Sequence, residues 1–229
     1  MKLVLLPGME GTGNLFGPLL KVLPGDIKTQ IISYPITGIG ESYTAYIDYV
    51  SSHLPDDEDF VILGESFSGP IAYEIAARKP PHLKGIIFVV TFLESPSVAG
   101  VWFGQWSLAL WPQALSIPES ALRFWLGEEE TSFELIQLLS QAIDKVGINV
   151  LQQRLQMVGQ LKYEHRNIMM PCLYIGAVND RIVGREVLSL FRSSIPSLNE
   201  YLVDGPHTIL QHRPQECVNI IGNFLKTIN

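Results

Sequence analysis

The stretch that decides the fold covers residues 60–72 and reads FVILGESFSGPIA. Its first four residues are apolar and predict a strand, and Pro70 falls in the first turn of a following helix, where a missing N–H costs little. Between them is a tight turn, in which the small residues Gly64 and Ser68 allow strand and helix to pass close together. Such a turn lifts its central serine above the edge of a sheet. Ser66 is therefore predicted to be a nucleophile, and a plain helix N-cap at this serine is the alternative.

Strand-like and helix-like segments alternate on both sides of this turn. The predicted strands are Leu3–Leu6, Thr29–Ser33, Phe60–Leu63, Ile86–Val90, Cys172–Ile175 and Glu200–Val203. The predicted helices are Asn14–Leu23, Ser42–Leu54, Phe67–Arg78, Arg185–Ser193 and Pro214–Lys226. Strands that alternate with helices predict βαβ units, and nearly continuous apolar strands are typical of a parallel sheet covered on both faces.

Two further residues with catalytic chemistry follow predicted strands. Asp180 lies on the loop after Cys172–Ile175, and His207 comes just after Glu200–Val203. Because ligands bind at the carboxyl edge of an open parallel sheet, we expect these loops to converge there with Ser66, in the chain order Ser, Asp, His. The three residue types suit one reaction, since an imidazole must take the proton of a weakly acidic hydroxyl and a buried carboxylate must orient the imidazole.

Each partner also has a simpler interpretation. His207 on its own could be an ordinary histidine of a surface loop, and Asp180 a turn former or helix cap. Asp204 is a rival acid, but it ends the histidine's own strand and lies close to it in sequence, so Asp180 is favoured. The remaining histidines follow no predicted strand: His53, His82, His165 and His212.

With these motifs in this order, the chain resembles an α/β-hydrolase of the esterase and lipase group. The opening LLPGMEGTG, residues 5–13, is similar to the family's His-Gly-type loop after its third strand. The serine turn, the GAVND stretch that ends at Asp180 and the GPHTILQ stretch around His207 complete the match. The resemblance implies that the backbone N–H groups of Met9 and Phe67 form an oxyanion hole. For Phe67 this also follows from geometry, because the residue after the nucleophile presents its N–H at the start of the helix.

The sequence departs from the family pattern in three places. Pro7 stands where many members have His, and Ser68 stands where the strict pentapeptide ends in Gly. The chain also begins at the family's third strand, without the usual first hairpin. We therefore expect an α/β-hydrolase fold with a reduced, mostly parallel sheet of about six strands and a helical cap insertion.

The alternation of strands and helices stops between residues 94 and 167. Helical periodicity over Ser132–Ile143 and Ile148–Leu161 predicts that this segment is a helical cap, or lid, inserted into the catalytic core formed by residues 1–93 and 168–229.

The first part of the predicted cap is unusually apolar. No charged residue occurs from Ser95 to Pro118, although 17% of the whole chain is charged. Every tryptophan of the chain falls in or just after this stretch, and we expect the following residues to line a substrate pocket: Trp102, Trp106, Trp111, Phe124 and Trp125. A dry, aromatic pocket would accept an apolar acyl or alcohol group. The alternative is that these rings only pack the cap onto the core.

Composition limits the partners of the protein. The 229 residues carry a net charge of −7 and include no run of Lys or Arg, so nucleic acid is not expected. Two cysteines, Cys172 and Cys217, lack any zinc-binding spacing and are expected to be reduced and buried. No cofactor or metal is expected.

The apolar start is too short for a signal-peptide core, which predicts a cytoplasmic protein. We expect no stable membrane span, although contact of the cap with lipid stays open, as does the oligomeric state.

The function predicted from these observations is that of a serine carboxylesterase for small-molecule esters with an apolar acyl or alcohol group. A thioesterase, lactonase or acyltransferase would use the same triad and is the main alternative; a small-ligand receptor on the same scaffold is more remote. The glycines of residues 8–13 could cradle a dinucleotide, but they do not form Gly-x-Gly-x-x-Gly and no acid ends the second predicted strand.

Overall fold

A computed structural model describes residues 1–37, 39–96 and 132–228 of the chain. Their strands form one six-stranded sheet in the order β2-β1-β3-β4-β5-β6, and every neighbouring pair is parallel. The strands are β1 Lys2–Leu6, β2 Lys28–Ile31, β3 Phe60–Glu65, β4 Leu83–Val89, β5 Cys172–Ala177 and β6 Leu198–Val203. The predicted parallel sheet of about six strands is confirmed.

Helices connect the strands, and most lie where the sequence predicts them. They are α1 Gly17–Val22, α2 Tyr43–Ser51, α3 Gly69–Arg78, α4 Phe133–Val146, α5 Ile148–Gln160, α6 Leu188–Ser194, α7 Ile209–His212 and α8 Pro214–Thr227. Three of the predicted helices open with a tighter 3₁₀ turn, over Asn14–Phe16, Ser66–Ser68 and Arg185–Val187. The short α7 was not predicted, because one helical turn is too short to show a periodicity.

Apolar side chains fill the space on both faces of the sheet. Successive residues of a strand point to opposite faces, so Val4 and Ile62 pack toward α2 and α3, whereas Leu3 and Val61 pack toward α1 and α8. Cys172 and Cys217 are buried free thiols, as expected, and they lie in the two different cores.

The two outermost strands differ from the prediction. All six residues of β3 are buried, but β2 and β6 leave most of their residues exposed or only half-buried. The expectation that every strand is covered on both faces is therefore wrong for these two. Their position explains the difference, since each has a partner strand on one side only.

Helices α4 and α5 lie between β4 and β5 in the chain, within the predicted insertion. The side chain of Ser132 caps α4 by accepting a hydrogen bond from the backbone N–H of Leu135 at 3.3 Å. Gly147 separates the two helices at a φ of 83°, which favours glycine. Helix α4 packs against α5 and against the 3₁₀ turn over Asn14–Phe16, so the insertion touches the amino-terminal part of the core.

None of the helices in the described ranges is both long enough and apolar enough to cross a bilayer.

Candidate active site

Ser66 sits on a sharp turn between β3 and α3. Its φ of 48° lies in the left-handed region, which is strained for a residue other than glycine. The turn needs small neighbours: a Cβ on Gly64 would lie 2.9 Å from the Ser68 carbonyl oxygen, and one on Gly69 would overlap the Thr91 side chain. The Thr91 hydroxyl also donates a hydrogen bond to the Ser66 carbonyl oxygen, which holds the turn in place.

The structure brings the three predicted triad residues into one hydrogen-bonded chain. His207 Nε2 lies 2.9 Å from Ser66 Oγ, and His207 Nδ1 lies 2.8 Å from Asp180 Oδ2. The other carboxylate oxygen, Oδ1, accepts hydrogen bonds from the backbone N–H groups of Ile182 at 2.8 Å and Val183 at 2.9 Å. The Asp180 side chain is only 4% exposed and that of His207 13%. The backbone therefore fixes a buried carboxylate, and the carboxylate orients the imidazole toward the serine.

The rival acid, Asp204, lies outside this chain. It is exposed, and its Oδ1 accepts a hydrogen bond from Asn179 Nδ2 at 3.0 Å. The loops that carry Asp180 and His207 are joined by their backbones, because the Asn179 N–H donates to the Gly205 carbonyl oxygen at 3.0 Å. The geometry thus favours Asp180 over Asp204, in agreement with the preference from sequence.

The glycine-rich loop over residues 7–13 runs beside Ser66. A Cβ on Gly8 would lie 3.8 Å from Ser66 Cβ. The Gly8 carbonyl oxygen accepts a hydrogen bond from the Gly11 N–H at 3.0 Å, and in a trans peptide the Met9 N–H points opposite to that carbonyl. Phe67, the second expected donor, is buried in the 3₁₀ turn directly after Ser66. Phe67 thus directly follows Ser66, and Met9 directly follows Gly8, the loop residue that lies beside Ser66.

Solved structures of similar fold include esterases and a thioesterase. An esterase of Exiguobacterium antarcticum superposes with a TM-score of 0.80 at 14% identity, over 99% of this chain and 92% of that chain. The chain has the α/β-hydrolase fold. The RedJ thioesterase from the prodiginine pathway of Streptomyces coelicolor has a TM-score of 0.68 at 18% identity, over 98% of this chain and 90% of that chain. No family model matches the sequence.

One curated relative is also similar in sequence. The biotin biosynthesis bifunctional protein BioHC of Cellvibrio japonicus is 23% identical to this chain over 244 residues. The alignment covers 99% of this chain and 48% of the relative. The chain therefore spans about half the length of the curated relative it matches.

Ser68, which stands where the pentapeptide Gly-x-Ser-x-Gly ends in Gly, makes buried contacts of its own. It is fully buried, its hydroxyl donates to the Pro7 carbonyl oxygen, and it also hydrogen-bonds the hydroxyl of Tyr34. Ser68 thus ties the serine turn to the glycine-rich loop. The departure from the family pattern marked this residue in the sequence, but its partners lie too far away along the chain for a sequence pattern to identify them.

We expect Ser68→Ala to lower the free energy of unfolding by about 1–3 kcal/mol, because it leaves the buried Pro7 carbonyl and the Tyr34 hydroxyl without this partner. Urea unfolding measures the change. Tyr34→Phe removes the other end of the same hydrogen bond, so the double variant should lose less stability than the two single losses added together. Additive losses would contradict the coupling.

A second buried carboxyl group, that of Glu65, lies directly before Ser66 in the chain. Its Oε1 accepts a hydrogen bond from Gln211 Nε2 at 3.0 Å, and the same Nε2 donates to the Leu15 carbonyl oxygen at 3.1 Å. Burial raises the pKa of Glu65 to about 7; the hydrogen bond from Gln211 and the charge of nearby His207 oppose the rise, and the charge of Glu10 adds to it. The charged form of Glu65 is therefore disfavoured in the folded protein.

This raised pKa predicts a pH-dependent stability. The folded state holds the Glu65 proton up to a pH of about 7, whereas the unfolded chain releases it near 4.5, so stability is lost as the pH rises between these values. From pH 5 to pH 8, the free energy of unfolding of Glu65→Gln should therefore fall by less than that of the wild type, with a difference of up to about 3 kcal/mol. Glu186→Gln removes an exposed carboxylate and controls for the change in net charge. A wild-type slope that persists in Glu65→Gln would contradict the assignment.

The predicted pocket residues lie outside the described residues: Trp102, Trp106, Trp111, Phe124 and Trp125. In the described part of the molecule, one cleft of about 430 Å³ lies between the loop around Ile39 and helix α5, with Tyr46 and Met157 in its wall. Within the same ranges, no group of three His, Cys, Asp or Glu side chains is placed to hold a metal ion.

Proposed function

We propose that this protein is a serine hydrolase that cleaves carboxylic esters through an acyl-enzyme. The observation that carries the proposal is the hydrogen-bonded chain from Ser66 through His207 to Asp180. The fold supports the proposal, because an α/β-hydrolase presents its nucleophile at the carboxyl edge of the sheet, where these three residues lie. The esterases among the similar structures agree with this chemistry.

In the proposed mechanism, Ser66 Oγ attacks the ester carbonyl carbon while His207 Nε2 takes the hydroxyl proton. Asp180 stabilises the imidazolium, and the backbone N–H groups of Met9 and Phe67 hold the negative oxygen of the tetrahedral intermediate. His207 then gives its proton to the departing alcohol oxygen as the C–O bond breaks. Water next attacks the acyl carbon and passes a proton to His207, which returns it to Ser66 Oγ as the acid leaves.

The predicted insertion supports a proposal about the substrate class. We propose that residues 94–167 form a cap over the carboxyl edge and that the aromatic side chains of its first half bind an apolar acyl or alcohol group. Two facts support the cap: α4 and α5 lie in this segment, and Arg154 of α5 reaches the loop beside Ser66. The uncharged stretch from Ser95 to Pro118 supports the apolar preference.

A thioesterase is the second candidate, because the RedJ thioesterase is similar in fold over nearly the whole chain. The triad does not separate the two activities, since oxygen and sulfur esters form the same acyl-enzyme. The leaving group and the acyl chain therefore have to be varied independently in any test.

The deciding experiment measures turnover of p-nitrophenyl esters of graded acyl length, beside acyl thioesters of the same acyl groups and a set of lactones. We expect multiple turnovers on esters, with kcat/KM rising with acyl length as apolar area is buried. A thioester preference at every acyl length would select the second candidate. Failure to turn over any of these substrates would contradict hydrolysis altogether.

A further inference from the structure

A buried arginine joins the insertion to the glycine-rich loop. Arg154 lies on α5 between Leu151 and Leu155, which are buried on the same face of the helix, and it is itself completely buried. An arginine on an apolar helix face is unusual, because a buried charge costs free energy unless it is paired and hydrogen-bonded. Its contacts therefore need an explanation beyond the packing of the helix.

The guanidinium group of Arg154 binds the backbone of the loop beside the nucleophile. Nη1 donates to the carbonyl oxygens of Met9 at 2.8 Å and Glu10 at 2.9 Å, and Nη2 donates to that of Pro35 at 3.4 Å. Nε donates to the Tyr46 hydroxyl at 3.0 Å. All three guanidinium nitrogens thus have a partner, and two of the four hydrogen bonds end on the loop.

Aromatic rings and a carboxylate compensate the buried charge. The guanidinium carbon lies 5.7 Å from the ring centres of both Tyr34 and Tyr46, within the range of a cation–π contact. The Glu10 carboxylate is buried nearby and hydrogen-bonds the backbone N–H groups of Thr12 at 2.6 Å and Gly13 at 3.2 Å. Burial raises the pKa of Glu10, and the charge of Arg154 opposes that rise.

The carbonyl groups of the loop are fixed one after another. The carbonyl oxygens of residues 7–11 all accept a hydrogen bond. The Pro7 carbonyl accepts from Ser68, the Gly8 carbonyl from Gly11 and the Gly11 carbonyl from Tyr34. Arg154 donates to the other two, those of Met9 and Glu10. In a trans peptide a fixed carbonyl also fixes the N–H opposite to it. The Met9 N–H belongs to the peptide unit between Gly8 and Met9, and Arg154 binds the carbonyl oxygens of the next two peptide units. Arg154 therefore holds the part of the loop that directly follows this donor.

We propose that Arg154 is a positioning residue that holds the Met9 N–H in the direction needed to bind the oxyanion, and that it does so from the insertion. This inference rests on the proposed hydrolase function. Arg154 acts through the loop backbone, so its loss should lower kcat and leave KM nearly unchanged, because the affected hydrogen bond forms only in the transition state.

Gly11 provides a second way to disturb the same contact, from within the loop. Its φ is 71°, and a Cβ at this position would overlap the guanidinium group of Arg154. Gly11→Ala should therefore displace the guanidinium while it leaves the charge of the protein unchanged. Because an alanine at this φ also strains the loop itself, a loss of kcat in Gly11→Ala supports the inference only together with a loss in Arg154→Lys.

The experiment compares kcat and KM of the folded full-length variants on the best ester found for the wild type. Arg154→Ala should lower kcat by about 100-fold, the usual effect of losing one oxyanion donor, with KM within about threefold. Arg154→Lys keeps the charge but loses the planar fork, so we expect a smaller loss, about tenfold. Millimolar guanidinium chloride should restore much of the kcat of Arg154→Ala. Gln153→Ala, which removes an exposed hydrogen bond to Glu41 from the same helix, is the matched control and should keep wild-type kcat.

The outcomes separate this inference from the proposed function. If folded Arg154→Lys and Gly11→Ala keep the wild-type kcat, or if their losses appear only in KM, Arg154 does not position the oxyanion hole, whereas the hydrolase function stands. These two variants decide the question if Arg154→Ala does not fold. If the wild-type protein turns over no ester or thioester, the proposed function itself fails.

Discussion

Replacement of Ser66 by Ala is expected to lower ester turnover by about 10⁴-fold to 10⁶-fold, the largest effect of any single change considered for this protein. Ser66 Oγ is the only atom of the proposed triad that bonds to the substrate, and it lies 2.9 Å from the imidazole nitrogen that takes its proton. Without it no acyl-enzyme forms, so the burst of p-nitrophenolate in the first turnover should also vanish. Stopped-flow measurement of that burst provides the test.

Ser189→Ala is the matched control for this change, because it removes an exposed serine hydroxyl that bonds only a neighbouring backbone carbonyl within its own helical segment. It should keep wild-type turnover. Folding of Ser66→Ala should be intact, since the substitution removes one oxygen atom from the edge of the sheet. Undiminished turnover in a folded Ser66→Ala variant would contradict both the assignment of Ser66 as the nucleophile and the formation of an acyl-enzyme.

Replacement of Asp180 by Asn is expected to lower kcat by about 10⁴-fold. The carboxylate accepts the Nδ1–H of His207 at 2.8 Å, which leaves Nε2 free to take the serine proton. The Asn side chain is held by the same loop, but its amide N–H favours the opposite tautomer of His207, in which Nε2 carries a hydrogen and cannot act as a base. The pH dependence of kcat on the best ester, measured for both proteins, gives the comparison.

Asp204→Asn is the natural control for Asp180→Asn. The two residues follow neighbouring strands, but Asp180 hydrogen-bonds His207, whereas Asp204 hydrogen-bonds Asn179. Asp204 is exposed and bonds Asn179, so its replacement should change kcat by less than about threefold. A large loss in Asp204→Asn, together with a small one in Asp180→Asn, would reverse the assignment of the acid.

The sequence was sufficient to predict the sheet and the residues that the structure brings to its edge. Parallel strands end at a common edge, so three residue types on three loops could be placed together without knowledge of the strand order. Ser66, Asp180 and His207 could be placed in this way because each lies on the loop or turn that leaves a recognisable strand.

The polar contacts around these residues were not predicted, for a physical reason. In the glycine-rich loop, the partners of Ser68 and Arg154 are backbone carbonyls, which carry no residue identity and lie far away along the chain. The sequence did contain one trace of the second contact, a single charged residue on the buried face of α5 between Leu151 and Leu155. The exposure of β2 and β6 also escaped prediction, because strand order is a property of the whole sheet.

The separation of the site residues along the chain has a consequence for folding. Ser66 and His207 are 141 residues apart in sequence, and Arg154 and Met9 are 145 apart. Contacts of such long range close large loops and form slowly, since the chain loses entropy before it gains the contacts. A ribosome-bound chain can complete the first βαβ units, but its candidate site cannot form until the segment that carries Asp180 and His207 has emerged and packed. In a refolding experiment, the recovery of hydrolysis would therefore mark the final step and lag behind the recovery of helical signal.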